Sequence, residues 1–353
     1  MALPFQGLQS KKRNQIVAID LGSRTTKAVC LQRRGSGYEL LAFEMQEAVA
    51  ADKGSGHAKL TEHLKKIWQD LGARTKQVVM AVGVGDSLLR HAELPLVPVS
   101  DMRQMLKFNA KSYLQQDLPD HVYDCFVLPP KAGPSSETLK PGQKCRVLVG
   151  AARRQVVSDL QAAAKAAGLA VEMIVPGLIG PANAFELAQP EVFAKEVVAL
   201  VDIGYKNTTI TVLANGELLL TRVVGIGAEK VTTGLAEAMG VSYAEAEGMK
   251  QGVSADVEMT MMPLLIPLGR ELQASIQFFE HQHDKVVNEV FISGGSARSE
   301  FIVKTLKEEM MLETKTWNPL TFAHLALSPK SMGEIESVTV QLAVATGAAL
   351  AAF

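Results

Sequence analysis

Very little in this sequence points to covalent or metal chemistry. Its three cysteines, Cys30, Cys125 and Cys145, lie far apart with no Cys-x-x-Cys spacing. That excludes a disulfide framework or a thiolate zinc site and makes the cytosol the expected compartment. The chain lacks a Gly-x-x-x-x-Gly-Lys-Ser/Thr loop, a His-Glu-x-x-His pair and a Gly-x-Ser-x-Gly elbow, so P-loop, zinc-peptidase and serine-hydrolase readings fall away. His57, His63, His91, His121 and His324 have no partners in sequence and default to core or surface roles. His281 and His283 are two apart and cannot share a helix face as metal ligands. Aromatic residues are only 5% of the chain, and the formal net charge of −1 removes the basic excess of a general nucleic-acid binder. No apolar stretch is long enough to span a bilayer. Residues 1–15 end in Lys11-Lys12-Arg13 with no apolar stretch ahead, so they read as a flexible tail rather than a secretory signal.

What is present is a repeated turn. Val17-Ala-Ile-Asp20-Leu-Gly22-Ser23-Arg24-Thr25-Thr26-Lys27-Ala-Val29 runs from one β-branched stretch into another through an aspartate, a glycine, three hydroxyls and a lysine. Two strands joined by such a turn suit a metal-bound phosphate: amides and hydroxyls hold oxygens, and the carboxylate holds the cation's waters. Val201-Asp202-Ile-Gly204-Tyr205-Lys206-Asn207-Thr208-Thr-Ile-Thr-Val212 repeats it at matching offsets, Asp20 with Asp202, Gly22 with Gly204, Thr26 with Thr208. Both copies continue into a further strand after a short glycine turn, at Gly35–Gly37 and at Asn215-Gly216. An internal repeat of this kind points to a duplicated α/β domain with a nucleotide held between the copies.

The remaining periodicities fill in the order. Leu60, Leu64, Ile67, Trp68 and Leu71 place an amphipathic helix over Ala58–Leu71, stopped by Gly72, and Val78–Val82 reads as a buried strand. Between about 77 and 184 the character changes to strand (Leu88–Leu94), helix capped by Ser100, strand (Tyr123–Leu128), a Pro/Gly/Ser-rich loop (Pro129–Gly142), strand (Cys145–Val149), helix (Arg153–Ala167) and strand (Ala170–Val175). That is a compact α+β insertion. In the second copy, Gly227 opens a helix whose amides are phosphate neighbours; Ala244–Gly252 and Pro263–His283 are further helices. Glu289–Ser293 is a buried strand running into Gly294-Gly295-Ser296-Ala297, where backbone can approach a flat ring, followed by a helix over Ser299–Glu309. Val338–Phe353 reads as an alanine-rich helix packed on the sheet.

Taken together, Asp20-x-Gly22 with Lys27, Asp202-x-Gly204 with Thr208, and Gly294-Gly295-Ser296 resemble the three nucleotide-binding signatures of the actin/hexokinase/chaperone ATPase superfamily, in order and over essentially the whole chain. The insertion resembles the 1C subdomain of the FtsA-like branch, and Glu247-x-x-Lys250-x-Gly252 resembles that branch's ribose-reaching element. FtsA-like chains continue into a linker and a membrane helix; the present sequence ends at Phe353, so the PilM family of type IV pilus assembly is the expectation. The resemblance implies two actin-like (ribonuclease-H-like) domains, with the first part over 16–76, the 1C subdomain over 77–184, a connection over 185–196, the second domain over 197–337 and the last helix returning to the first.

It also implies roles. ATP (or ADP) would have its phosphates wrapped by Asp20, Gly22, Ser23, Arg24, Thr25, Thr26, Lys27, Asp202, Gly204, Tyr205, Asn207, Thr208 and Gly227. Asp20 and Asp202 would hold Mg²⁺ through water. Glu247 and Lys250 would reach the ribose, and Gly294, Gly295, Ser296 and Arg298 would line the adenine. The partner implied is the cytoplasmic N-terminal tail of a PilN-type inner-membrane protein, taken in a groove of 1C, with other pilus-assembly proteins and self-association as further contacts. Nucleic acid is not among them, and the membrane is reached only through the partner, giving a cytoplasmic protein peripheral on the inner membrane. Hydrolytic relatives carry an acid before the proline of the helix entering the second repeat. Here the segment is Ile179-Gly180-Pro181-Ala-Asn183, so turnover is expected to be slow or absent, with Asn183 and Glu186 the only nearby groups to position water. The alternatives are an FtsA-like division scaffold and a phosphotransfer enzyme of the same superfamily.

Overall fold

The computed structural model describes residues 14–49, 56–129, 142–250 and 254–353. The basic segment Lys11–Arg13, most of the loop expected over Pro129–Gly142, and Gly252 lie outside the described residues.

Three sheets organise the chain. The first runs, edge to edge, Ala323–Leu325, Gly37–Glu47, Thr25–Arg34, Gln15–Leu21, Gln77–Val82 and Ala170–Pro176. The second runs Glu217–Val224, Thr208–Ala214, Val197–Ile203, Glu289–Gly294 and Thr314–Thr316. In each, an antiparallel hairpin carries the aspartate and a parallel strand closes beside it, Gln77–Val82 in one and Glu289–Gly294 in the other. Parallel central strands buried on both faces explain the near-continuous apolar runs Ile16–Ile19 and Val198–Val201. The duplication read from the motifs is therefore a duplication of sheet topology.

The third sheet is three-stranded, Ser87–Pro95 and His121–Val127 flanking Lys144–Arg153, and is covered by the helix Val99–Leu114 through Met102, Leu106, Cys125 and Val147. The strands Gln77–Val82 and Ala170–Pro176, both inside the range 77–184, pair into the first sheet instead. The helix Arg154–Ala166 packs with helix Gly56–Leu71 on one face of that first sheet. Only the stretch between Gly83 and Arg153 stands apart as an α+β unit.

Several boundaries differ from the sequence reading, each for a local reason. Ser100 lies inside the helix Val99–Leu114, whose N-cap is Pro98, and its hydroxyl turns to Asp101. The long helix begins at Ala255 rather than at Pro263 and keeps Pro263 and Pro267 in its interior. A proline reads as a helix start because N1 tolerates its missing N–H, but here the apolar stripe from Val257 through Phe279 holds the helix together across both. The alanine-rich end is two helices, Pro329–Val338 and Ala343–Leu350, separated by a 3₁₀ turn at Thr339–Gln341. The second of them packs on strand Gln15–Leu21 and crosses the helix Gly180–Ala188 so closely that a Cβ on Gly347 would run into the Gly180 carbonyl. No helix among the described residues is long and apolar enough to cross a membrane.

Candidate functional site

The two aspartate hairpins face each other across one cleft of about 580 Å³. Each is shaped by a glycine. A Cβ on Gly22 would strike the Thr25 carbonyl, and one on Gly204 would sit 2.7 Å from the Asn207 carbonyl, which the Gly204 amide hydrogen-bonds at 3.0 Å. The third wall is Gly294, held at φ 97 with no room for a side chain against the Ile203 backbone. Only glycine supplies both that positive φ and that approach.

At the floor, strand register sets the charges. Asp20 pairs with Lys27 across the first hairpin, and Asp202 pairs with Thr209 across the second. Lys27 Nζ lies 3.0 Å from Asp20 Oδ2, and Asp20 is only 6% exposed. Burial alone would push the Lys27 ammonium down, but the Asp20 and Asp202 carboxylates outweigh it and hold its pKa above the usual lysine range. Asp202 accepts from the Ser293 hydroxyl at 2.9 Å; burial pushes its pKa up, and Lys27 and that hydrogen bond offset this only in part. One ammonium thus serves two carboxylates, buried Asp20 and half-buried Asp202, which leaves the floor a net acceptor of cation charge.

On another wall of the cleft, Glu247 Oε2 accepts from Thr232 at 2.8 Å and from Lys250 at 3.0 Å. Burial pushes the Glu247 carboxyl up, but Lys250, Thr232 and Arg24 more than offset it and leave it below the usual carboxylate range. Lys250 is 5% exposed, and its burial outweighs Glu247 and lowers its pKa. Ser242 and Glu245 form a reciprocal capping box that fixes the helix Tyr243–Met249 carrying Glu247.

Of the sequence-nominated residues, Asp20, Gly22, Ser23, Arg24, Thr25, Thr26, Lys27, Asp202, Gly204, Tyr205, Asn207, Glu247, Lys250, Gly294, Gly295, Ser296 and Arg298 all line this one cleft. Two stand behind it. Thr208 is fully buried and donates to the Ile226 carbonyl at 2.7 Å, while Thr209 lines the cleft in its place. Gly227 is the N-cap of the helix Ala228–Met239; its lack of a side chain lets the second hairpin lie against it, and the amides of Ala228 and Glu229 bond the carbonyls of Gly204 and Tyr205. Sequence reasoning missed His63. Its Nε2 lies 2.9 Å from Thr26 Oγ1 inside the cleft, and burial, with Lys66 nearby, lowers its pKa and keeps the imidazole neutral at pH 7. The signal was its spacing from Leu60 and Ile67, which puts it on the buried stripe of its helix. Asn183 and Glu186 do not reach this cleft: both line a second groove, where Asn183 Nδ2 donates to the Gly347 carbonyl at 3.2 Å.

The donor set fits a nucleoside polyphosphate with a hydrated divalent cation. Two glycine turns line the cleft with amides and hydroxyls of the kind that bind phosphate, Asp20 and Asp202 line it as carboxylates of the kind that hold a cation's waters, and no group of three or more His, Cys, Asp or Glu among the described residues forms a cage for a bare ion.

That second groove, about 400 Å³, lies between the three-stranded unit and the second repeat. Phe126, Leu128 and Leu148 form one side, Leu213, Leu218 and Phe193 the other, and Glu186, Glu217 and Lys285 supply the charged groups. His91 Nε2 hydrogen-bonds the Leu218 carbonyl at 2.8 Å and Arg146 ion-pairs with Glu217, tying the two sides together.

Comparison with known proteins agrees with this architecture. The family model described as "Type IV pilus assembly protein PilM" matches residues 18–353. Among solved structures, the "PilM-PilN type IV pilus biogenesis complex" superposes with a TM-score of 0.82 at 22% identity, covering 97% of this chain and 99% of that one. MreB5 of Spiroplasma citri bound to ADP superposes with a TM-score of 0.51 at 10% identity over 88% of this chain and 94% of that one, which shows a shared actin-like fold. A curated relative, the cell division protein FtsA of Bacillus subtilis, is 44% identical over 54 residues, only 15% of this chain and 12% of that protein's length.

Proposed function

The chain belongs to the PilM family of type IV pilus assembly proteins, and from that premise we propose that it is an ATP- or ADP-binding platform which docks the tail of a PilN-type membrane protein. The observation that carries the nucleotide half is the pair of aspartate-glycine hairpins facing across a single cleft closed by Gly294-Gly295. Amides of the two turns, with Ser23, Thr25, Thr26 and Asn207, bind phosphate oxygens; Asp20 and Asp202 orient the waters of Mg²⁺; Glu247 and Lys250 hold the ribose; Gly294, Gly295, Ser296 and Arg298 flank the base. Lys27 balances the phosphate charge nearest Asp20.

Turnover is slow or absent. Asn183 and Glu186, the groups nominated to position a hydrolytic water, line the other groove, so ATP acts as a ligand that sets how the two halves sit. The mostly apolar groove beside the three-stranded unit suits a short peptide with apolar side chains at intervals, and its carboxylates suit a basic residue in that peptide. Through such a tail the protein is held at the inner membrane without entering it. The family match does not favour the division-scaffold and phosphotransfer alternatives.

The test is titration of the full chain with a synthetic PilN-type N-terminal peptide, with and without Mg-ATP, for wild type and for Phe126→Ala, a half-buried residue of the groove wall. Saturable binding lost in the variant supports the docking reading. No saturable binding in either nucleotide state removes it.

A further inference from the structure

One side chain of the first hairpin does more than line the phosphate site. Arg24 Nη1 donates to the Tyr243 hydroxyl at 3.1 Å and to Glu247 Oε2 at 3.3 Å, 219 and 223 positions away. Its guanidinium carbon lies 5.2 Å from the centre of the Tyr205 ring and 5.5 Å from that of Tyr243. Arg24 belongs to the first repeat and all three partners to the second, so a single side chain bridges the cleft.

The carboxylate contact is the weakest part of the bridge. Glu247 Oε2 already accepts from Thr232 and Lys250 at shorter distances, which makes Arg24 the third and longest donor to one oxygen. Both Arg24 hydrogen bonds leave from Nη1, whereas a guanidinium presents five N–H groups in a planar fork suited to two oxygens at once. The side chain is also 38% exposed, which favours rearrangement. A phosphate group brings more charge than a shared carboxylate oxygen and takes the fork in bidentate fashion.

We propose that Arg24 exchanges between two sets of partners, Glu247 and Tyr243 on one side and the polyphosphate of a bound nucleotide on the other. The exchange rests on the nucleotide reading above and adds its regulation. The same movement releases Glu247 to the ribose and unfastens the two halves of the cleft, so occupancy by a di- or triphosphate is reported as a change in the link between the repeats. A monophosphate carries less charge to attract the fork and leaves the bridge in place.

Calorimetric titration of ATP, ADP and AMP into the full chain, wild type, Arg24→Ala and Arg24→Lys, tests this directly. For Arg24→Ala, ATP and ADP affinity should fall at least about tenfold, the loss of one charge-assisted hydrogen bond or more. AMP affinity should hold steady or rise, because Glu247 loses a competitor. Arg24→Lys, with charge but no fork, should fall between. An equal loss for all three nucleotides, or no loss for any, overturns the exchange and leaves nucleotide binding standing. A wild-type chain that binds none of the three overturns both. Circular dichroism of the variants separates these outcomes from misfolding.

Discussion

At the residue scale the cleft floor is short of positive charge. Lys27 faces two carboxylates, and Asp202 keeps a raised pKa in spite of it. A carboxyl whose folded pKa exceeds its unfolded value contributes stability at low pH, where it is protonated in both states, and loses that contribution as pH rises through the folded value. Asp202→Asn removes the cost of ionisation while its amide oxygen still accepts from Ser293. The ligand-free variant should therefore melt above wild type near pH 7 and no higher near pH 4. Differential scanning calorimetry at both pH values checks this, and a variant that melts lower than wild type at pH 7 contradicts it. Lys27→Met should do the reverse, lowering the melting temperature at neutral pH by leaving two carboxylates without a counter-ion. At this scale the hairpins were legible because an aspartate, a glycine and hydroxyls at fixed offsets are forced by the turn itself. Thr208 turns to the Ile226 carbonyl behind the cleft, which sequence offset alone does not reveal. Register puts Lys27 opposite Asp20 and Thr209 opposite Asp202, so the cleft-facing threonine is the second of the pair. His63 and the Arg24 bridge span 37 and 219 positions and have no local signature.

At the scale of elements, two short pieces hold the site in place. The capping box of Ser242 and Glu245 anchors the seven-residue helix that carries Glu247. Ser242→Ala should cost about 1 kcal/mol and weaken nucleotide binding more than it lowers the melting temperature, since the fraying helix is a site wall rather than core. Thermal melts and nucleotide titration on one preparation compare the two effects; unchanged affinity alongside a lowered melt would contradict this. The other piece is the crossing of Gly180–Ala188 with Ala343–Leu350, where Gly347 meets the Gly180 backbone. Gly347→Ala should destabilise by about 1–3 kcal/mol through overpacking, read as a lower urea midpoint. Helix type and existence were readable from apolar spacing, as at Leu60–Leu71. Helix starts were less so: Pro263 carries a start signal that the longer apolar stripe from Val257 overrides, and Ser100 sits one residue inside a helix capped by Pro98.

For the whole molecule, the repeat fixes the architecture and the cleft follows from it. Two sheets of like topology each bring one aspartate hairpin to a common cleft, and the three-stranded unit adds a groove on another side. The duplication was visible in the motifs. The pairing of Gln77–Val82 and Ala170–Pro176 with the first sheet was not, because parallel strands joined by long crossovers leave no turn signal between them. His91 with Leu218, and Arg146 with Glu217, tie the unit to the second repeat, so a change in how the halves sit would reach the groove. The most direct measurement is calorimetric titration of Mg-ATP into the ligand-free chain, alongside Asp20→Asn and Gly204→Val. The expected result is saturable binding of one nucleotide per chain, weakened at least about tenfold by each substitution. Absence of binding by the wild-type chain, or binding that both variants retain in full, would contradict the site at its centre.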